Sequence, residues 1–281
     1  MTAYESIIYE TPAEKVARIV VNRPEKRNAQ SFRLLYELNK AFDAAAQDDA
    51  ISVIILAASG PDFSSGHDLS DTDRRQALAD FDTVGTWCGF GCAGAEGRMA
   101  AEAEMYLGLS ERWRNIPKPT IAEVQGRCIA GGMQLIWPCD LIIAAEDASF
   151  KINPIEMGVC CAEFFHEPWE LGVRKAKEML FTADFFSAQE AHRLGMVNHV
   201  VPAEKLTSFT LELASRIAEK QLFALKLAKE AVNGAQDLQG RAASLKLGFS
   251  YHQLCHSHNQ EVFGFPADMT LMKRYRGGQT K

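Results

Sequence analysis

No run of apolar residues approaches the roughly 20 that a membrane-spanning helix needs, which excludes a helical membrane protein. There is no block of basic residues either. Lys and Arg number 30 against 36 Asp and Glu, for a net charge of −6, and this balance argues against nucleic acid as the main partner. The N-terminus, Met1-Thr2-Ala3-Tyr4-Glu5-Ser6, lacks the basic start and apolar core of a secretory signal. Disulfide chemistry is missing as well: the 7 cysteines fall at irregular spacing in a long chain, so most read as small buried side chains. No linker or low-complexity segment divides the sequence. What remains is an expectation of a soluble, cytoplasmic protein of ordinary composition. Its 47% hydrophobic and 23% charged residues suffice for a full-sized core. A length of 281 residues fits one large domain or a domain with an appendage.

Periodicity supplies the elements. Ile7 to Tyr9 and Val16 to Val21 read as strands with a turn around Thr11-Pro12. A polar loop, Asn22 to Ala29, follows, and apolar spacing from Ser31 to Ala45 predicts a helix. Val53 to Ala58 is continuously apolar, as a strand buried on both faces requires. A second strand pair falls at Thr120 to Val124 and Leu141 to Ala144. The repeated β, β, α order predicts an α/β fold with helices outside. From Ser187 onward the chain reads as helical, with Gly195 as a C-cap signal and Ala203 to Val232 as helix-forming sequence. The divisions expected are a core over 1–200 and a helical region over 201–281. The glycine-rich stretch from Ser70 to Ser110 is too long for a plain connection and reads as a partly helical cover over the active site.

Two loops carry the chemistry. Gly131 and Gly132 follow the Thr120 strand and open a short apolar segment that Pro138 ends. Paired glycines let backbone come close to a ligand, and free amides at a helix start hold negative charge. Phe63-Ser64-Ser65-Gly66-His67-Asp68-Leu69 follows the Val53 strand, and loops at the carboxyl ends of such strands tend to bind ligands. Two amides converging on one oxygen form an oxyanion hole, worth about 3–4 kcal/mol per donor in the transition state. Each loop taken alone is equally well read as a glycine turn.

Together with the loop Asn22-Arg23-Pro24-Glu25-Lys26-Arg27-Asn28-Ala29, the segment Gly126 to Asp140, and Ser187-Ala188-Gln189-Glu190-Ala191 with Leu194-Gly195-Met196-Val197, they resemble the crotonase superfamily, the enoyl-CoA hydratase/isomerase family. The motifs stand in order and span most of the chain. The resemblance implies a crotonase-like spiral of β-β-α units and a C-terminal helical region used in trimerisation. It implies a homotrimer or a dimer of trimers, and an acyl-CoA substrate as in fatty acid metabolism. Coenzyme A enters as part of that substrate, with no separate cofactor and no metal. It further implies that the N–H groups of His67 and Gly131 bind the thioester oxygen. Arg27, Ser64, Ser65, Gly66, Asp68 and Leu69, with Gly132 and Gln134, are the implied substrate contacts.

Departures from the family pattern redirect the chemistry. The hydratases' two glutamates correspond here to Gln134 and Pro154, neither of which is a base near neutral pH. Glu156 lies two residues beyond Pro154, and Glu163 and His166 lie in the following segment, where isomerases of the superfamily sometimes place a single carboxylate. Flanked by Phe164, Phe165 and Trp169, Glu163 reads as the acid–base group, its alternative being an exposed loop acid. The expected reaction is therefore proton transfer or isomerisation, by a lyase- or isomerase-type enzyme. The alternatives are a thioester or C–C hydrolase on the same fold, and a non-catalytic acyl-CoA-binding protein.

Other clusters read as structural. The His67 imidazole is incidental to its backbone role, and Asp140 is expected to make structural hydrogen bonds. His252 and His256 share a helix face near Cys255 and His258, but no acidic motif adjoins them, so a metal site is not expected. Cys88 and Cys92 are poorly spaced for zinc. The Cys160-Cys161 pair has no evident base to make a nucleophile.

Overall fold

Alternate side chains of the central strands enter two different cores. The computed structural model describes residues 4–71 and 79–267. Strands β1 (Ile7–Ala13), β2 (Val16–Val21), β3 (Val53–Ala58), β4 (Thr120–Val124), β6 (Leu141–Ala145) and β9 (His199–Val201) form one sheet in the order β1-β2-β3-β4-β6-β9. Only the β1–β2 pairing is antiparallel. On β3, Ile54 and Leu56 join the main core with helix α1 (Phe32–Gln47), while Val53, Ile55 and Ala57 face the other way. There they meet Leu206, Ala214 and Ala218 of helix α7 (Leu206–Ala218). That period-2 division is why the run is apolar throughout. A smaller sheet, β5 (Arg127–Ile129), β7 (Ser149–Lys151) and β8 (Phe186–Ser187), lies alongside. The chain thus winds in β-β-α turns, the spiral that the sequence resemblance implies.

Expected elements fall in place with two differences: the first turn moves, and His199–Val201, inside the stretch read as helical, is the strand β9. β1 continues through Thr11-Pro12, where the register slips between Glu10 and Ala13, and the chain turns instead at Glu14-Lys15. Proline is tolerated at a bulge on an edge strand, whose outer side needs no N–H, so Pro12 does not have to end the strand. Gly195 has φ +89 and caps α6 (Ala188–Leu194), as its position suggests.

Of the 70–110 stretch, residues 70–71 and 79–110 are described; residues 72–78 lie outside the described part. It contains α2 (Gly94–Glu102), a π-helical turn over Ala103–Gly108, and α3 (Leu109–Arg114). The Glu104 carboxylate accepts from the N–H groups of Val84 and Gly85 at 2.6 and 2.8 Å, tying the irregular segment to this helical unit.

Three helices follow β9: α7 (Leu206–Ala218), α8 (Leu222–Leu238) and α9 (Arg241–Phe263). Arg241 at the start of α9 is buried and engages Glu111 through both terminal nitrogens at 2.7 and 2.8 Å, with Nε on Asp237 at 2.6 Å. Asp140 accepts from the Thr120 amide and hydroxyl and pairs with Lys229 at 2.9 Å, the structural role expected of it. Phe223, Leu227, Val232, Leu238, Leu247 and Leu254 are exposed along α8 and α9. Among the described residues, no helix is long and apolar enough to cross a membrane.

Candidate active site

Because β3 and β4 are parallel neighbours, their carboxyl ends release the two glycine loops side by side. Ser64 pairs with Cys128, Gln30 pairs with His67, and the Gln30 side chain reaches the Gly131 carbonyl at 2.5 Å. Gln30, unremarked in the sequence, therefore fastens one loop to the other. The close fit demands glycine. A Cβ on Gly131 would stand 2.4 Å from His67 Cδ2 and 2.9 Å from Gln30 Oε1. Gly66 has φ +92 and faces the Ile129 carbonyl. Ala130, with φ +47 and ψ −108, carries the turn into the short helix α4 (Gly131–Ile136), a strained setting of the kind that concentrates at ligand sites. Among the described residues, neither the His67 nor the Gly131 amide donates to a backbone carbonyl.

Both residues line a cavity of about 400 Å³. His67, Asp68, Leu69, Gly131, Pro154 and Glu163 line it, as do Glu102, Tyr106, His252 and His256. Gln134, Ser64, Ser65, Gly66 and Gly132 are not among the residues that line it. The Ser64 hydroxyl is used on the Asn28 carbonyl at 2.8 Å. Arg27 lies outside the wall, its carbonyl accepting from the Ser65 N–H. Asp68 pairs with Arg23 at 3.0 Å; against the effect of burial, Ser70 and Arg23 hold its pKa below the usual carboxylate value.

Glu163 is buried, at 4% exposure, so the exposed-loop alternative does not hold. Its Oε2 accepts from Gln134 Nε2 at 2.6 Å, and its Oε1 lies 3.4 Å from His252 Nε2 and 3.8 Å from His67 Nδ1. Glu156, two residues past Pro154, is instead tied to Lys151 at 2.8 Å. His166 is buried outside the cavity wall against Phe164, with Nδ1 on Glu170 at 2.9 Å. Behind Glu163, Glu167 opens α5 (Glu167–Thr182), and burial pushes its pKa to about 8. Burial pulls His252 down, yet Glu163 and Glu102 overrule it and raise its pKa to about 9. Burial likewise opposes the Glu102 carboxylate, but His252 holds its pKa at about 2.

Comparison with known proteins now decides the family. The family model for enoyl-CoA hydratase/isomerase matches residues 11–86 and 91–263. The chain belongs to the enoyl-CoA hydratase/isomerase family. It is 45% identical to the probable enoyl-CoA hydratase of Mycobacterium thermoresistibile, whose crystal structure superposes with a TM-score of 0.84 over 93% of this chain and 98% of that one. EchA13 of Mycobacterium tuberculosis, which carries an enoyl-CoA hydratase name, is 43% identical over 93% of this chain and 84% of its own. The crotonyl-CoA hydratase of Syntrophomonas wolfei is 33% identical over 87% of this chain and 88% of its own. Membership in the enoyl-CoA hydratase/isomerase family makes this an acyl-CoA enzyme.

The His67 imidazole covers Gly131, stacks on Tyr106 with ring centroids 3.9 Å apart, and forms part of the wall. One sequence reading needs correction. His252 and His256 do have an acidic neighbour, since Glu102 Oε2 lies 3.5 and 4.0 Å from their Nε2 atoms. Glu102 and Tyr106 escaped notice because they sit in the irregular 70–110 stretch, where no motif marks them. The i,i+4 spacing of the histidines was the available signal. Cys88 and Cys92 are exposed, away from the wall, and Cys160 and Cys161 lie within 3.5 Å of one another beside α9.

Proposed function

We propose that this protein catalyses proton transfer on an acyl-CoA, moving a double bond through a thioester enolate. In this reading the carbonyl oxygen sits between the amides of His67 and Gly131. Negative charge that develops there meets two preorganised dipoles, a stabilisation largest at the transition state. Glu163 takes the proton from the carbon beside the carbonyl and returns it further along the chain. Gln134 orients that carboxylate through its amide hydrogen and cannot itself exchange a proton near neutral pH. Pro154 occupies the place of the second hydratase glutamate, so the two-glutamate route to hydration has no second base.

The observation that carries this reading is Glu163 itself: a buried carboxylate on the cavity wall, within 3.8 Å of the His67 ring and held at 2.6 Å by Gln134. Hydration is the second reading, favoured by the names of the relatives, with Glu163 activating water alone. The exposed apolar side chains of α8 and α9 support assembly into a homotrimer or a dimer of trimers. Light scattering on a sizing column reads that directly.

The deciding experiment assays the protein and Glu163→Gln on enoyl-CoAs of differing chain length, in deuterated water, with hydrated, isomerised and hydrolysed products resolved. Glu163→Gln is expected to lower kcat by about 10²- to 10⁴-fold, as loss of a general acid–base group does, while acyl-CoA binding persists. Undiminished turnover in Glu163→Gln removes the acid–base assignment. Binding with no turnover at all leaves a non-catalytic acyl-CoA binder, and thioester or C–C cleavage products leave a hydrolase.

A further inference from the structure

Across the cavity from the glycine loops, α2 and α9 bring three donor atoms to one point. His252 and His256 lie one helical turn apart on α9, and Glu102 closes α2. His252 Nδ1 is 2.7 Å from the Cys161 carbonyl oxygen, and His256 Nδ1 is 2.5 Å from that of Pro266. A carbonyl can only accept, so each Nδ1 carries the hydrogen and each Nε2 is left to face its neighbour. The two Nε2 atoms are 2.9 Å apart. Gln253 donates to Glu102 Oε2 at 2.5 Å and holds that carboxylate toward them. All three side chains line the cavity, and those of Glu102 and His252 are almost wholly buried.

We propose that Glu102 Oε2, His252 Nε2 and His256 Nε2 are the protein ligands of a divalent transition-metal ion, zinc or ferrous iron, whose remaining coordination positions open onto the acyl cavity.

Bonds of about 2.0–2.1 Å to a tetrahedral ion place donor atoms about 3.3 Å apart. The three edges here are 2.9, 3.5 and 4.0 Å, which bracket that value. The surroundings match what metal-bound histidines require: the far ring nitrogen of each is fixed on a backbone carbonyl, and the ligating carboxylate has a partner of its own. Two imidazoles with one carboxylate and open positions suit zinc or ferrous iron, whereas magnesium and calcium prefer all-oxygen sites. Glu163 Oε1 also lies 3.4 Å from His252 Nε2, so an ion bound there would adjoin the acid–base carboxylate; the test reads the metal and not turnover, which keeps the two assignments separable.

Full-length protein, stripped with a chelator, is titrated with Zn²⁺, Co²⁺, Mg²⁺ and, under anaerobic conditions, Fe²⁺, and followed by calorimetry and by the visible bands of Co²⁺. Saturation is expected at one Co²⁺ per chain, with intense bands of low coordination number and no response to Mg²⁺. Gln253→Leu is expected to weaken binding about 10-fold. His252→Ala and Glu102→Ala abolish it, and because those changes empty buried positions, His256→Gln, at a less buried ligand, is included with circular dichroism as a check on folding. Cys88→Ser/Cys92→Ser removes two exposed thiols that could capture metal on their own. The proposal fails if no saturable binding occurs, if a folded His256→Gln keeps the Co²⁺ bands, or if the double serine variant loses them.

Discussion

Replacing Gln134 by glutamate tests the buried contact on which the site reading depends. In the native protein the amide donates to Glu163 at 2.6 Å, with both residues at most 4% exposed. In Gln134→Glu an oxygen takes the place of the nitrogen, and the contact survives only if one of the two carboxyls is protonated. Two carboxylates sharing a proton separate their titrations by about 3 units, so from an ordinary value near 4.3 the upper step reaches about 7. The folded pKa then stands above the unfolded one. The stability tied to that proton is complete below about pH 4 and is lost as pH rises through about 7. At about 1.4 kcal/mol per unit, the variant is less stable than the native protein by about 1 kcal/mol at pH 5 and about 3–4 kcal/mol at pH 8. The nearby His252 pulls this figure down, so it is an upper bound. Urea unfolding of both proteins across that range, compared at matched m-values, gives the difference. An offset that stays constant from pH 5 to pH 8 would refute the reasoning, because it would mean that residue 134 and Glu163 do not share a proton.

Three further outcomes are expected. Gly131→Ala forces the His67 ring off Tyr106 and should cost about 1–3 kcal/mol of stability with a 10²- to 10³-fold loss of kcat, read by unfolding and steady-state kinetics. Arg241→Met leaves Glu111 without its partner, while the partly exposed Asp237 keeps Arg114 at 3.2 Å, and should destabilise by about 1–3 kcal/mol in denaturant titrations. Glu167 has a folded pKa of about 8, raised by burial, so the stability linked to its bound proton is complete below its unfolded value and is lost as pH rises through about 8. Glu167→Gln should therefore flatten the decline in unfolding midpoint between pH 5 and pH 8; a decline as steep as the native one would contradict the assignment.

Much of the scaffold could be read from local pattern. The unbroken apolar run at β3 announced a strand covered on both faces, and Gly195 announced its helix end, because each depends on near neighbours in sequence. The two glycine loops were legible for the same reason, since each follows a strand and has a shape that only glycine tolerates. Pro12 misled, because the same residue suits a turn or an edge-strand bulge, and only the partner strand decides which. The far wall of the cavity was the least legible. His252 and His256 advertised a shared face, but their acidic neighbour comes from α2, and no periodicity connects elements so distant. Tyr106 lies in a π-helical turn, where neither helical nor strand spacing describes the residue that emerges on the wall.

The contact between Glu102 and Gln253 spans 151 residues of chain. A protein made from its N-terminus will have built the spiral and both glycine loops before α9 exists to join them. Until it docks, Glu102 and Glu163 lack the imidazolium that sits between them, and the cavity lacks one wall. Closing so long a loop is slow in comparison with the local winding that precedes it. The site is therefore among the last parts of the molecule to form. In refolding experiments, recovery of ligand binding should lag behind recovery of helical signal, and the gap between them would measure the docking of α9.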